Sequence, residues 1–150
     1  MEKFLKFLKT ESIGGQIIRF SLAGLLLFGG FTKLILVGAL GQQLLAAIII
    51  AAIETLAAFG LIFHFKRPEL GIAGATLAIL AICIRIIYSL NYVKETLPNA
   101  NTFLNALTAF LGVYNNGLFH ISLLIGAAIY CLGNSYKEYI RERLTQPWPH

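Results

Sequence analysis

Ionisable side chains lie inside stretches of this sequence that are otherwise apolar: Lys33, Glu54, Arg85 and His120. A charged Lys, Arg or Asp at the centre of a membrane-spanning helix costs about 2.5–3.5 kcal/mol on insertion scales. Such side chains therefore face a bundle interior, pair with one another or line a polar cavity. Tyr88 follows Arg85 by three positions and shares its helix face. We predict that these five residues form an intramembrane polar cluster that binds a ligand, and we assign no catalytic residue.

The depths of these side chains restrict their pairing. Counted from the end of each span predicted to be cytoplasmic, Glu54 lies ~14 Å deep and the three basic side chains lie ~20–24 Å deep. The alternative to a ligand pocket is that Lys33 and Arg85 extend to the outer headgroups, while Glu54 pairs with the nearer of them. A pocket would bind an anionic or quinone-like ligand, or relay protons.

The sequence lacks the motifs of a metal site and of a thiol–disulfide centre. The histidines are dispersed and none forms an HExxH pattern, so we predict no metal site. Cys83 lies ~18 Å and Cys131 ~3 Å from the cytoplasmic ends of their spans, and no CxxC motif is present. A disulfide requires Cα atoms within about 7 Å, so both thiols are interpreted as packing residues.

The composition indicates a membrane protein. Hydrophobic residues make up 57% of the chain and charged residues 13%, and the mean hydropathy is +0.75. A span needs about 20 residues, so 150 residues hold at most about four spans in a single domain. The net charge of +5 comes from residues that flank the apolar runs. This distribution favours contact with the lipid bilayer over binding to nucleic acid.

The predicted fold is all-α: an integral membrane, up-down four-helix bundle with an N-terminal amphipathic interfacial helix. The interfacial helix covers 1–12, the spans cover about 17–40, 44–63, 70–90 and 117–133, and a cytoplasmic tail covers 134–150. The apolar stretch 103–113 is too short to span alone. It either extends the fourth helix or is re-entrant, and the extension is favoured. Pro68 suits the first turn of the third helix.

The basic residues predict the orientation. Nine of them flank the spans on one side, whereas Lys94 lies in the loop on the other. The positive-inside rule then places both termini in the cytoplasm. Small residues with helix-face spacing predict close helix packing: Gly24, Gly29, Gly30, Ala47, Ala51, Ala52, Gly71, Gly74, Ala75 and Ala78.

Several segments resemble a known family. They are MEKFLKFL, IIRFSLAGLLLFGGFTKL, IETLAAFGLIFHFKRPELGIAG and LLIGAAIYCLGNSYKEYI, about two thirds of the chain. They are similar to the YkgB/RclC-like bacterial inner-membrane proteins, which include a reactive-chlorine-resistance membrane protein, and more distantly to the DoxX and MauE families. Lys33 matches the Lys that ends the family's first helix, and Glu54 matches its second-helix Glu.

The chain also differs from this family. The long outer segment between the first two helices is missing, His120-Ile121 stands where the family has Lys-Asp, and IRIIYSLN brings in Arg85. The resemblance implies a non-enzymatic role in oxidative or reactive-chlorine stress resistance, through partner assembly or small-molecule binding. Two alternatives stay open. One is a DoxX/MauE-like redox component that meets quinone and a thiol or dehydrogenase partner. The other is a small homo-oligomeric transporter or channel.

Overall fold

A computed structural model describes residues 12–35, 44–96, 105 and 115–145, and the described segments of more than one residue are helical. Helix α1 is Ile13–Ile35, α2 is Leu44–Ile62, α3 is Pro68–Thr96 and α4 is Asn115–Thr145. A short 3-10 helix, Phe63–Phe65, continues α2. The interfacial helix predicted for 1–12 and most of the stretch 103–113 lie outside the described residues.

Local chemistry explains where α1 and α3 begin. The Ser12 hydroxyl accepts a hydrogen bond from the Gly15 amide at 3.1 Å, which satisfies a donor that the first turn of α1 leaves without a helical partner. Helix α3 begins at Pro68, as its sequence position predicts, because the ring fixes a helical φ and the missing amide is not needed there. The Leu70 amide then bonds to the Arg67 carbonyl at 3.1 Å.

Three described segments are long and apolar enough to cross a membrane: Ile13–Ile35, Leu45–Phe65 and Pro68–Ile87. The first has 23 residues and would be ~35 Å long, against a hydrocarbon thickness of about 30 Å. Large apolar side chains point outward from these helices, among them Phe28 (72% exposed) and Leu45 (70% exposed). Exposed apolar surface on this scale fits lipid better than water. For the described residues, the prediction of an all-α chain with helices that could span a membrane is thus confirmed.

The helices pack in chain order, α1 on α2, α2 on α3 and α3 on α4, and α4 also contacts α1. Their shared core consists mainly of small side chains: Leu22, Ala23, Leu26, Ala57, Ala58, Leu61, Ala75, Ala78, Ala128 and Cys131. Helices α2 and α3 cross at a glycine pair. A Cβ on Gly60 would lie 2.6 Å from the Gly74 Cα, and a Cβ on Gly74 would lie 2.6 Å from the Leu61 nitrogen. Only glycine permits this approach.

Candidate functional site

Lys33 and Glu54 form an ion pair between α1 and α2. The Lys33 ammonium lies 2.5 Å from Glu54 Oε2 and also donates to the Gly29 carbonyl at 3.2 Å. Glycines on α1 make room for the carboxylate, since a Cβ on Gly29 would lie 3.3 Å from Glu54 Oε2 and one on Gly30 would lie 3.1 Å from the Ala51 carbonyl. Two glycines thus bring the two helices close enough for the pair to form.

The two partners differ in exposure. The Glu54 side chain is 4% exposed, whereas that of Lys33 is 22% exposed. An ammonium has three N–H donors, and within the described part of the chain two of them are engaged, by Glu54 and by the Gly29 carbonyl. The opposite charges of Lys33 and Glu54 offset each other, and the Lys33 side chain stays partly exposed. A ligand with a carbonyl or anionic oxygen could accept the third donor.

The structure brings together only part of the predicted cluster. Lys33 and Glu54 meet, but Arg85 and His120 are both exposed, and among the described ion pairs Glu54 has Lys33 as its partner. The side chain of Tyr88 lies outside the described residues. That all five form one ligand-binding cluster therefore stays a prediction. No disulfide joins the two cysteines; Cys83 is exposed and Cys131 is buried in the core.

A second polar network joins the opposite end of α1 to α4 and the 3-10 helix. Arg19 Nη1 donates to Ser135 Oγ at 3.2 Å, and Ser135 Oγ lies 3.2 Å from His64 Nδ1. His64 Nε2 lies 2.8 Å from Glu138 Oε2. Arg19 and Ser135 are fully buried and His64 is 3% exposed. We call these four residues the Arg19–Glu138 network.

Helix α3 contributes space to this network. A Cβ on Gly71 would collide with the His64 imidazole and would lie 2.5 Å from Ser135 Oγ. Ser135 and Glu138 are three positions apart on α4, so they share a helix face. Helix α1, the 3-10 helix and α4 therefore supply the side chains of the network. Helix α3 supplies the space for them, because Gly71 has no side chain.

Electrostatics favours the carboxylate form of Glu138. The hydrogen bond from His64 is the largest cause that lowers the pKa of Glu138 below its ordinary value of 4.5; partial burial opposes it, and the nearby charges of His64, Arg141 and Arg19 add to the lowering. The carboxylate is an acceptor, so His64 Nε2 carries the proton. In a neutral imidazole Nδ1 then accepts from the Ser135 hydroxyl, which itself accepts from Arg19. The donors run in one direction, from Arg19 to Glu138.

The network contains a serine, a histidine and a carboxylate, but Ser135 is not placed to act as a nucleophile. A catalytic serine must reach a substrate carbonyl, but Ser135 is fully buried and its oxygen receives the Arg19 hydrogen bond. The arrangement can hold helices together and keep a buried guanidinium near a carboxylate.

Sequence reasoning missed this network. Arg19 is one of the nine basic residues that predict the orientation, yet the structure buries it. Its guanidinium donates a hydrogen bond to Ser135, and its charge interacts with the carboxylate of Glu138. A signal was present, since Arg19 lies within the predicted span 17–40. The predicted topology also places the 64–69 turn and the start of the tail at the same side of the membrane as Arg19. No side-chain pattern within any single segment shows that the three meet.

Comparison with known proteins adds no assignment. No family model matches the chain, and neither a curated protein nor a solved structure matches it.

Proposed function

We propose that this chain is a non-enzymatic, four-span inner-membrane protein that binds a small oxygen-bearing molecule at the Lys33–Glu54 pair and thereby supports resistance to oxidants. The observation that carries the proposal is the partly exposed ammonium, held against a buried carboxylate and left with a donor to offer within the described chain. A quinone carbonyl or an anionic group is the matching acceptor. The oxidant context comes from the resemblance of the chain to the YkgB/RclC-like proteins.

The proposal includes an up-down bundle of four antiparallel spans with both termini in the cytoplasm. Contacts between consecutive helices, and between α4 and α1, support this arrangement. The α2–α3 connection is short, which makes antiparallel neighbours. Helix α4 would cross the membrane through 117–133, and the basic residues Lys137, Arg141 and Arg143 would stay outside the hydrocarbon.

The test separates binding from folding by removing the whole ion pair. Replacing a buried pair with apolar residues is often neutral or stabilising, whereas removing one partner leaves an uncompensated charge. The double variant Lys33→Met/Glu54→Met should therefore insert and fold. Native mass spectrometry of the extracted protein should find a bound small molecule on the wild type and none on this variant. A deletion strain complemented with the variant should stay sensitive to hypochlorous acid.

The matched control is Glu142→Gln, which removes an exposed carboxylate of α4 remote from the pair. It should keep both the bound molecule and the resistance. A double variant that folds, retains the bound molecule and complements fully would overturn the proposal. Bound quinone lost together with a quinone-dependent activity would instead make the protein a redox component, which contradicts the non-enzymatic assignment.

A further inference from the structure

Basic side chains gather where the 3-10 helix meets α4. The His64–Glu138 contact of 2.8 Å brings the turn after α2 against α4. Lys66 and Arg67 follow His64 by two and three positions and are exposed. On α4, the Arg141 guanidinium lies 3.7 Å from Glu138, and its side chain is 58% exposed. We define the basic surface as Lys66, Arg67, Lys137, Arg141 and Arg143. The two segments that carry these five cations, 66–69 and 137–143, also contain three carboxylates, Glu69, Glu138 and Glu142, so their combined net charge is +2.

Aromatic rings accompany these cations. The Lys66 ammonium lies 4.9 Å from the centre of the Phe63 ring, and Phe63 stacks with Phe59 at 6.1 Å. On α4 the Arg143 guanidinium lies 5.3 Å from the Tyr139 ring. Tyr and Trp are enriched at the boundary between hydrocarbon and headgroups, and Lys and Arg side chains extend to it. In a membrane, the basic surface would therefore lie at the depth of the lipid phosphates.

From this placement we infer that the basic surface binds the headgroup phosphate of an anionic phospholipid, with Lys66, Arg67 and Arg141 as the principal contacts. Two of the three are guanidinium groups, which hold phosphate through paired N–H donors. One oxygen of Glu138 is engaged by His64, and within the described part of the chain the ion pair of Arg141 is a longer, 3.7 Å contact to the other oxygen. The buried Arg19–Glu138 network fixes the separation of the turn and α4, and this pre-organises the site. The inference rests on the membrane insertion that the proposed function includes, but not on ligand binding at the Lys33–Glu54 pair.

The test uses the full chain in nanodiscs that contain phosphatidylglycerol and phosphatidylcholine, followed by native mass spectrometry of the lipids that stay bound. The triple variant Lys66→Gln/Arg67→Gln/Arg141→Gln should lose the retained phosphatidylglycerol, with affinity lowered about fivefold for each cation removed. The charge-preserving triple variant Lys66→Arg/Arg67→Lys/Arg141→Lys should retain most of it. Circular dichroism on both variants verifies that they are folded.

A second arm distinguishes lipid from free phosphate. Inorganic phosphate at millimolar concentration should not displace the lipid, because the lipid is also held by its acyl chains against the exposed rings. Unchanged phosphatidylglycerol retention in the neutral triple variant would overturn the inference. Displacement by inorganic phosphate would do the same, since the surface would then be a soluble-anion site.

Discussion

The Lys33–Glu54 contact shows how a membrane helix can carry a charge. Its carboxylate is buried and its ammonium is partly exposed, so the burial cost falls mainly on Glu54. We expect Glu54→Gln to destabilise the extracted protein by about 1.5–3 kcal/mol, the usual contribution of a hydrogen bond to a charged group. The measurement is the unfolding free energy in mixed micelles. Glu142→Gln, which changes an exposed side chain, should shift it by less than about 0.5 kcal/mol.

A double-mutant cycle identifies the partner of Glu54. The cycle of Glu54→Leu with Lys33→Leu should show a non-additive coupling of about 0.5–3 kcal/mol, because the two groups are in contact. The cycle of Glu54→Leu with Arg85→Leu should be additive, since Arg85 is exposed and outside this pair. Coupling to Arg85 instead of Lys33 would contradict the observed pairing.

Glu138 gives the fold a defined response to acid. Its pKa is lower in the folded protein than its ordinary value of 4.5, mainly because of the His64 hydrogen bond. A lowered carboxyl pKa stabilises the fold above the unfolded value, and this contribution is lost as the pH falls through the folded-state pKa. The wild type should therefore lose thermal stability progressively below about pH 4.5. Scans of the midpoint temperature between pH 7 and pH 3 would measure this loss.

The matched variant for the acid response is Glu138→Gln, which keeps the size of the side chain and removes its titration. Its midpoint should be lower than that of the wild type at pH 7 and should converge with it in acid. Parallel curves for the two proteins at all pH values would show that Glu138 does not contribute.

At the scale of helices, glycines set the distances that the polar contacts require. The Gly60–Gly74 crossing leaves no space for a Cβ on either residue, and the atoms in the way are backbone atoms that cannot rotate aside. Gly74→Ala should therefore separate α2 from α3 and destabilise by about 1–3 kcal/mol, the usual cost of overpacking. Gly24→Ala is the control, because nothing lies within 4 Å of its Cβ position. A Gly74→Ala protein as stable as the control would contradict the crossing.

The sequence predicts the positions of helices in the chain better than it predicts which face of each helix is buried. Apolar length and Pro68 predict helices close to α2 and α3, because hydrophobicity and proline stereochemistry act locally. The small-residue face is only partly right: Ala51 and Gly74 are buried, but Gly24 and Ala52 are exposed. Rotation of a helix about its axis depends on its neighbours, and an apolar helix in lipid has little polar contrast to reveal it.

The polar sites show the same limit. Glu54 and a basic residue at a reachable depth could be anticipated, whereas the choice of Lys33 over Arg85 depends on helix rotation. The Arg19–Glu138 network joins positions up to 119 apart in the chain, the interval from 19 to 138. The network also requires that Gly71 has no side chain. A glycine in the sequence does not show which side chains occupy the space beside it. Such a contact follows from three-dimensional packing alone.

For the whole molecule, the orientation in the membrane determines which side of the membrane each site faces. The basic surface and the Arg19–Glu138 network lie at the end of the helices where the α2–α3 turn meets α4. The Lys33–Glu54 pair lies ~21 Å further along α1 from Arg19, the rise of 14 residues. The proposed topology has the basic end in the cytoplasm, as the positive-inside rule predicts. In that topology the ion pair would lie in the outer half of the bilayer, open to molecules that arrive from the outer side.

Cysteine labelling decides this orientation. In a background with Cys83→Ala and Cys131→Ser, Lys66→Cys should react with a membrane-impermeant maleimide only after the cytoplasmic side is opened. Lys94→Cys should react in intact cells, because 28 residues, from 66 to 94, carry the chain across the membrane along α3. Each single substitution removes one positive charge, which leaves the remaining bias toward the cytoplasmic side large. Labelling of position 66 in intact cells, with position 94 protected, would invert the molecule and place the Lys33–Glu54 pair toward the cytoplasmic face.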